Sequence, residues 1–249
     1  MAQGWSWEWY FHYLTNEYIF MGAMNTIFLT IMGIIGGLIL GAVLAFARLS
    51  PWRVLNQIAR AYIWIFRGTP LLVQLIIIYT GLPQVGIKFN VIEACLIGLI
   101  LNEAAYLAEI IRGGVQAIPK GQINAAKAIG FNHLGIIRHV IFPQTMRLIL
   151  PTLGNSVNGL LKTTSVASVI SVEEVLRRTQ ILIQEHFKVL ELFLVAATYY
   201  LILTTLWDLV QKRIERHYEN AYQTSEKKSK KKEKNSVSRS NVMAKGKQL

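Results

Sequence analysis

Charge is scarce in this sequence. Of 249 residues, 16% are charged and 53% hydrophobic, with mean hydropathy +0.36. Soluble domains carry about a quarter charged residues. No charged side chain occurs between Glu17 and Arg48, a stretch of 30 residues. About 20 apolar residues suffice to cross ~30 Å of hydrocarbon, so a soluble enzyme or binding domain is excluded. Cysteine is almost absent: Cys95 alone excludes an internal disulfide and a Cys-based zinc site. The histidines form no metal centre either. His12, His186 and His217 are scattered, and His133 and His139, six apart, do not share a helix face. Gly-x-x-x-x-Gly-Lys-Ser/Thr is missing, so the chain has no phosphate-cradling loop of its own. The apolar sequence shows no heptad and no repeat, which excludes a coiled coil.

What is present is a series of apolar blocks. Residues 1–18 hold Trp5, Trp7, Trp9, Tyr10, Phe11, Tyr13 and Tyr18 but no Lys or Arg. They lack the basic n-region and cleavage site of a signal peptide and suit a membrane–water interface on the extracytoplasmic side. Apolar runs predict spans over about 19–47, 61–80, 91–111, 148–161 and 192–207. The expected fold is thus an all-α integral membrane protein with five transmembrane helices. Its transmembrane domain covers 19–222, and a basic tail covers 223–249. Residues 220–249 carry nine Lys/Arg against two Glu. That composition predicts a disordered cytoplasmic tail attracted to an anionic leaflet, rather than nucleic-acid binding. Basic residues crowd the first connection (Arg48, Arg53, Arg60), the third (Arg112, Lys120, Lys127, Arg138, Arg147) and the C-terminal segment. The positive-inside rule places these in the cytoplasm and the N-terminus outside.

Several residues stand out within this frame. Gly33, Gly37 and Gly41 recur every four residues, which marks a close helix–helix contact. Arg67-Gly68-Thr69-Pro70 interrupts span two. Arg67 lies roughly 10 Å beyond Arg60 along a helix. Pro70 frees the carbonyl four residues earlier, that of Phe66, and irregular backbone at membrane depth is tolerated where it lines a cavity. Two readings stand: a site for an anionic group such as a carboxylate, or an arginine snorkelling beside a proline kink. Glu103 and Glu109 point about 120° apart on one helix and form no catalytic dyad. Arg112, at i+3 from Glu109, predicts an ion pair there. Glu103 has no such neighbour, and an unpaired carboxylate in hydrocarbon marks a functional or cross-helix role.

The cytoplasmic stretch is the most specific. Gly121-Gln122-Ile123-Asn124-Ala125-Ala126-Lys127-Ala128-Ile129-Gly130, then Phe131-Asn132-His133 and a run to Phe142-Pro143-Gln144, predict a short helix, a glycine turn and an Asn-capped second helix. Pro143 is expected to stop that second helix. Asn124-Ala125-Ala126, three residues, Gly130, nine residues, Val140-Ile141-Phe142-Pro143 resembles the coupling loop of ABC importer permeases. There the pattern is Glu-Ala-Ala, three residues, Gly, nine residues, Ile-x-Leu-Pro. Asn124 stands where that family has Glu. Arg67-Gly68-Thr69-Pro70-Leu71, Ala105-Tyr106, Ala108-Glu109, Arg112-Gly113 and Lys120-Gly121-Gln122 resemble its polar amino-acid branch. Lys162-Thr163-Thr164-Ser165 is similar to that branch's Lys-Asp-Thr-Ser.

The resemblance implies a non-catalytic permease subunit of an ATP-driven importer for polar amino acids, in a bacterial inner membrane. It binds no cofactor, and ATP is used by partner subunits. The implied partners are two ATP-binding cassette subunits, a second permease subunit, identical or paralogous, and an extracytoplasmic solute-binding protein. The implied substrate contacts are Arg67, Thr69, Glu103, Lys162, Thr163 and Ser165. The implied coupling residues are Gly121, Asn124, Ala125, Ala126, Gly130 and Pro143, on a hairpin between spans three and four. The alternatives are a self-sufficient secondary transporter, disfavoured by five spans without an inverted repeat, and a lipid-modifying membrane enzyme, disfavoured by the lack of a nucleophile–base set.

Overall fold

The computed structural model describes the backbone of residues 5–245 and side chains as far as Tyr218. Every regular element in that range is helical. The aromatic segment forms α1 (Trp7–Leu14), and Asn16 then caps α2 (Glu17–Leu49), its Oδ1 accepting from the Tyr18 N–H at 2.9 Å. Then follow α3 (Arg53–Gly68) and α4 (Leu71–Ile76), with π-helical and 3-10 turns to Val85, and α5 (Val91–Gln116). Glu93, charged but near a span, has a local explanation. Asn90 Oδ1 accepts from the Glu93 N–H and Glu93 Oε2 accepts from the Asn90 N–H, both at 2.9 Å, a capping box at the start of α5.

α6 (Lys120–Ala128) and α7 (His133–Ile136) follow, and a π-turn over Ile137–Ile141 leads into α8 (Phe142–Thr163). A 3-10 stretch (Thr164–Ile170), α9 (Val175–His186) and α10 (Val189–Lys245) complete the chain. The chain divides after Asp208 into two compact units, the second being the remainder of α10.

The first unit is built on the pairing of α2 with α5. A Cβ on Gly41 would lie 3.1 Å from the Ala104 carbonyl oxygen and 3.2 Å from the Ala108 nitrogen, and one on Gly37 3.1 Å from Glu103 Cβ. The glycine face therefore brings two backbones together, as its spacing predicts. Leu29, Leu75, Cys95, Leu99 and Leu160 form one core cluster, with Ala167 and Val172. A second joins α1 to the outer ends: Tyr13, Ile19, Val175, Leu192 and Val195. At that end the Arg178 guanidinium lies 4.4 Å from the Tyr18 ring centroid, donates to the Tyr18 carbonyl at 2.9 Å and pairs with Glu173 at 3.2 Å.

Three sequence expectations are corrected. Span two is not one interrupted helix: α3 and the segment Leu71–Val85 meet at an angle of 102°, because Pro70 can neither donate nor let the preceding residue stay helical. Pro143 does not end a helix. It sits in the first turn of α8, where its missing N–H is tolerated, and the helical path runs from His133 to Thr163 through the π-turn. The second arm of the loop thus runs through the π-turn into α8 rather than forming a separate short helix. The backbone of α10 runs on through the basic tail to Lys245. Residues 246–249 of that tail lie outside the described residues.

Three described helices are long and apolar enough to cross a membrane, namely α2, α5 and Val189–Tyr218 of α10, and the bent pair makes up to four. The 22-residue α8 is less apolar, interrupted by Gln144, Arg147, Asn155, Asn158 and Lys162.

Candidate functional site

The break in α3–α4 creates the site. The Phe66 carbonyl, left by Pro70 without its helical donor, accepts from Gln74 Nε2 at 3.0 Å and from Asn102 Nδ2 at 3.2 Å. Gln74 Nε2 also donates to Thr69 Oγ1 at 2.8 Å, while its Oε1 accepts from Asn102 Nδ2 at 3.1 Å. Thr69 Oγ1 donates in turn to the Ile65 carbonyl at 2.9 Å. Gln74 is buried. These bonds satisfy the broken backbone and fix its angle against α5.

Beside the break lies a cavity of about 650 Å³. Arg67, Thr69 and Pro70 form one wall, Asn102, Glu103 and Tyr106 of α5 a second, and Ser156, Gly159 and Thr163 of α8 the third. The Arg67 guanidinium stands 5.2 Å from the centroid of the Tyr106 ring. Glu103, partly buried, forms no hydrogen bond or ion pair among the described residues. Glu109, also on the lining, is already paired: Arg112 grips both its oxygens at 2.7 and 3.0 Å, and Arg48 Nε approaches to 3.8 Å. The cavity thus offers one cation, one unpaired carboxylate and neutral donors.

Of the six substrate contacts expected from the sequence, Arg67, Thr69, Glu103 and Thr163 meet on this lining. Lys162 and Ser165 do not line it. Lys162 is exposed, and Ser165 donates to the Lys162 carbonyl at 2.6 Å, on the continuation of the helix into its 3-10 stretch. Gln74, Asn102, Tyr106 and Ser156 were not singled out beforehand as site residues. Gln74 and Asn102 carry a signal, each a polar residue within an apolar run.

In the loop, Gly121, Asn124 and Ala125 are exposed on α6 and Ala126 is buried. Gly130 has φ +86°. Its N–H donates to the Lys127 carbonyl at 3.0 Å and the Phe131 N–H to the Ala126 carbonyl at 3.1 Å, the paired bonds of a Schellman motif. Asn132 Oδ1 then accepts from the Gly135 N–H at 2.7 Å, capping the next helix. Ile129 and Leu134, either side of the turn, are 75% and 71% exposed. Pro143 follows in the first turn of α8.

Residues 33–220 match the family described as binding-protein-dependent transport system inner membrane component. The chain is 38% identical over 231 residues to the arginine transport system permease protein ArgU of Corynebacterium glutamicum, covering 87% of this chain and 73% of that one. It is 36% identical over 197 residues to the glutamine transport system permease protein GlnP of Escherichia coli K12, covering 78% and 90%. A solved structure described as an amino acid ABC transporter with histidines aligns with TM-score 0.76 at 34% identity, over 80% of this chain and 94% of the other. The inward-facing MetNI methionine ABC transporter, at 19% identity and TM-score 0.68 over 81% and 96%, shares the fold. The chain therefore belongs to the family of binding-protein-dependent transport system inner membrane components, and is the permease subunit of an ABC importer.

Proposed function

We propose that this permease carries a polar amino acid through the cavity between α3–α4, α5 and α8. The carrying observation is that Arg67 and the unpaired Glu103 line one cavity. Arg67 takes the substrate carboxylate, and Glu103 takes a cationic or hydrogen-bond-donating group at the other end of the molecule. Thr69 and Thr163 supply hydroxyls. Lys162 and Ser165, off the lining, are outside this site. The printed names of relatives, arginine and glutamine permeases, support an amino acid as cargo.

In this reading α8 is the fourth of five spans, its polar residues turned toward the pathway, where intramembrane polar groups belong. The N-terminus is outside and the α6–α7 turn is cytoplasmic, following the distribution of Arg and Lys. Two permease subunits, identical or paralogous, form the pathway in a bacterial inner membrane. An extracytoplasmic solute-binding protein delivers the cargo. Two ATP-binding cassette subunits dock on the coupling loop, and its exposed Ile129 and Leu134 are apolar in a place that faces water unless covered. The chain itself holds no cofactor and makes no bond change. ATP acts by binding the closed form of its own subunits more tightly, which shifts the permease between accessible states.

The test is ATP-dependent uptake by reconstituted vesicles. Arg67→Ala abolishes uptake of the cargo, while the complex still assembles and still binds ATP. Glu103→Gln alters the order in which a panel of basic, amide and neutral amino acids competes. Unchanged uptake in Arg67→Ala overturns the assignment.

A further inference from the structure

A second cavity, of about 330 Å³, opens beside the first and is lined by Arg48, Arg60, Trp64, Arg67 and Glu109. Its charge is unbalanced. Three arginines face it with one carboxylate, and Glu109 is already held by Arg112 through both oxygens. Arg48 donates through Nη1 to Asn56 Oδ1 at 2.7 Å, but its buried Nε has no hydrogen-bond partner. Arg60 forms no hydrogen bond or ion pair among the described residues. Glu109, shared between Arg112 and Arg48 Nε at 3.8 Å, leaves the three arginines with a net positive charge, and such a cluster around a cavity is a site for an anion, the guanidinium fork suiting a phosphate group.

The surroundings indicate which phosphate. Arg60 and Arg67 are seven residues apart, hence on one face of α3, with Trp64 between them. Trp64 is 75% exposed, and beyond it, about 100° and 120° further around α3 and off the arginine face, Ile65 and Ile58 are exposed as well. A cationic cavity bordered by an exposed indole, with an exposed apolar sector of the same helix beyond it, matches a lipid molecule at the membrane boundary, with headgroup in the cavity and chains along that sector. A soluble anion would need no apolar flank. Arg48 and Arg60 also belong to the connection that its basic residues assign to the cytoplasmic side, where anionic lipids concentrate.

We propose that the cavity beside Arg48 and Arg60 binds the phosphate of an anionic phospholipid from the cytoplasmic leaflet, while Arg67, on the wall shared with the first cavity, stays with the substrate carboxylate. This rests on the membrane placement of α3 proposed above. The bound lipid sits directly behind the Arg67 wall of the transport cavity, so leaflet composition bears on the element that lines the pathway.

The experiment uses the permease–ATPase complex in detergent, titrated with phosphatidylglycerol or phosphatidylcholine and read by native mass spectrometry. Arg60 is the residue to change, because it lines only this cavity. The parent binds phosphatidylglycerol in preference to phosphatidylcholine. Arg60→Gln weakens phosphatidylglycerol binding about fivefold, the factor corresponding to one basic residue at an anionic surface, and leaves phosphatidylcholine unchanged. Arg60→Lys, which keeps the charge but loses the guanidinium fork, falls between the parent and Arg60→Gln, and Lys88→Gln, outside the cavity lining, has no effect. Millimolar inorganic phosphate does not displace the lipid. Equal binding by parent and Arg60→Gln overturns the site, and full displacement by phosphate overturns the lipid in favour of a free anion. Uptake in neutral vesicles separates the two proposals. A chain that is no transporter shows none in any lipid, whereas a transporter without this site takes up cargo and binds both lipids alike.

Discussion

Gln74 reaches across the break in span two and donates to the Phe66 carbonyl at 3.0 Å, the acceptor that Pro70 leaves without a helical donor. Asn102, on another helix, donates to the same oxygen. The proline break and the wall of the cavity are therefore one construction: the groups that satisfy the broken backbone also set the position of Arg67 and Thr69 against α5.

Gln74→Leu removes the buried amide and takes the 3.2 Å donor from the Thr69 carbonyl, while the Thr69 hydroxyl keeps the Ile65 carbonyl and the Phe66 carbonyl keeps Asn102. An unsatisfied buried polar group costs about 1–3 kcal/mol. The thermal midpoint of the purified complex falls, and uptake affinity falls with it because the angle at the break is no longer fixed. Asn102→Leu has a similar effect. The two changes share an acceptor, so their costs in a double-mutant cycle depart from additivity by roughly 0.5 kcal/mol or more. Strict additivity would show that the two side chains act separately.

Gly41→Ala is more damaging than Gly33→Ala. The new methyl at Gly41 meets the Ala104 carbonyl oxygen at 3.1 Å and the Ala108 nitrogen at 3.2 Å, both backbone. At Gly33 the close neighbour is Leu160 Cδ2 at 2.9 Å, the end of a side chain that can turn away. Overpacking of a fitted interface costs about 1–3 kcal/mol. Fluorescence-detected size exclusion after heating ranks the two variants, and the reverse order counts against the α2–α5 contact as described.

Much of this was legible because intramembrane sequence is written in few terms. The run from Tyr18 to Ala47 could only be a span, the glycine spacing named its packing face, and Glu109 with Arg112 at i+3 named an ion pair that is present at 2.7 Å. Arg67 and Glu103 were visible as charges where charge is costly. What could not be read was three-dimensional. A Pro after Thr69 marks a break but not its 102° angle, which depends on Gln74 and Asn102 meeting across two helices. Pro143 carries the same local signal as a helix stop, yet the π-turn before it carries the chain straight into α8. Lys162 and Ser165 follow Thr163 directly, but whether a residue faces a cavity depends on which helix lies opposite. α8 escapes a hydropathy criterion for the reason that makes it interesting: its polar residues interrupt the apolar run.

Glu174 gives a pH test. It precedes α9, outside the candidate spans, and is fully buried. Its carboxylate accepts from the Arg177 N–H at 3.0 Å and from the Tyr200 hydroxyl, with Thr26 Oγ1 at 3.5 Å. Burial outweighs these bonds and raises its pKa above the usual 4.5. A raised carboxyl keeps its proton longer in the folded than in the unfolded chain, so this group makes the fold less stable as pH climbs from about the ordinary value through the raised one. Below that window it makes no such contribution. Glu174→Gln keeps one oxygen for the Arg177 N–H, turns an amide N–H toward the Tyr200 hydroxyl oxygen, which can accept it, and cannot ionise. The difference in thermal midpoint between Glu174→Gln and the parent therefore grows in favour of the variant as pH rises through the window. A difference independent of pH would show that Glu174 carries no folding-linked proton.

Gly130 is the position at which loop geometry and coupling can be separated. With φ +86° it closes α6 through the Schellman bonds, and a Cβ there would meet nothing within 4 Å. Substitution therefore acts through backbone strain alone. Asn tolerates the left-handed region, whereas a β-branched residue there is a genuine outlier, held at a cost of order 1–3 kcal/mol. Gly130→Val tilts α6 against the helix beginning at His133, moving the exposed Ile129 and Leu134 relative to one another. A groove on an ATPase subunit that fits one arrangement no longer does. Span insertion is unaffected, because the change lies in the proposed aqueous loop. Membrane level, ATPase retention and ATP-dependent uptake are measured on one preparation of vesicles. Gly130→Asn keeps all three near the parent. Gly130→Val either loses the ATPase or retains it with ATP hydrolysis that moves no cargo. If Gly130 only helps the loop to fold, Gly130→Val lowers the membrane level while uptake per assembled complex equals that of the parent, and the coupling role is then refuted.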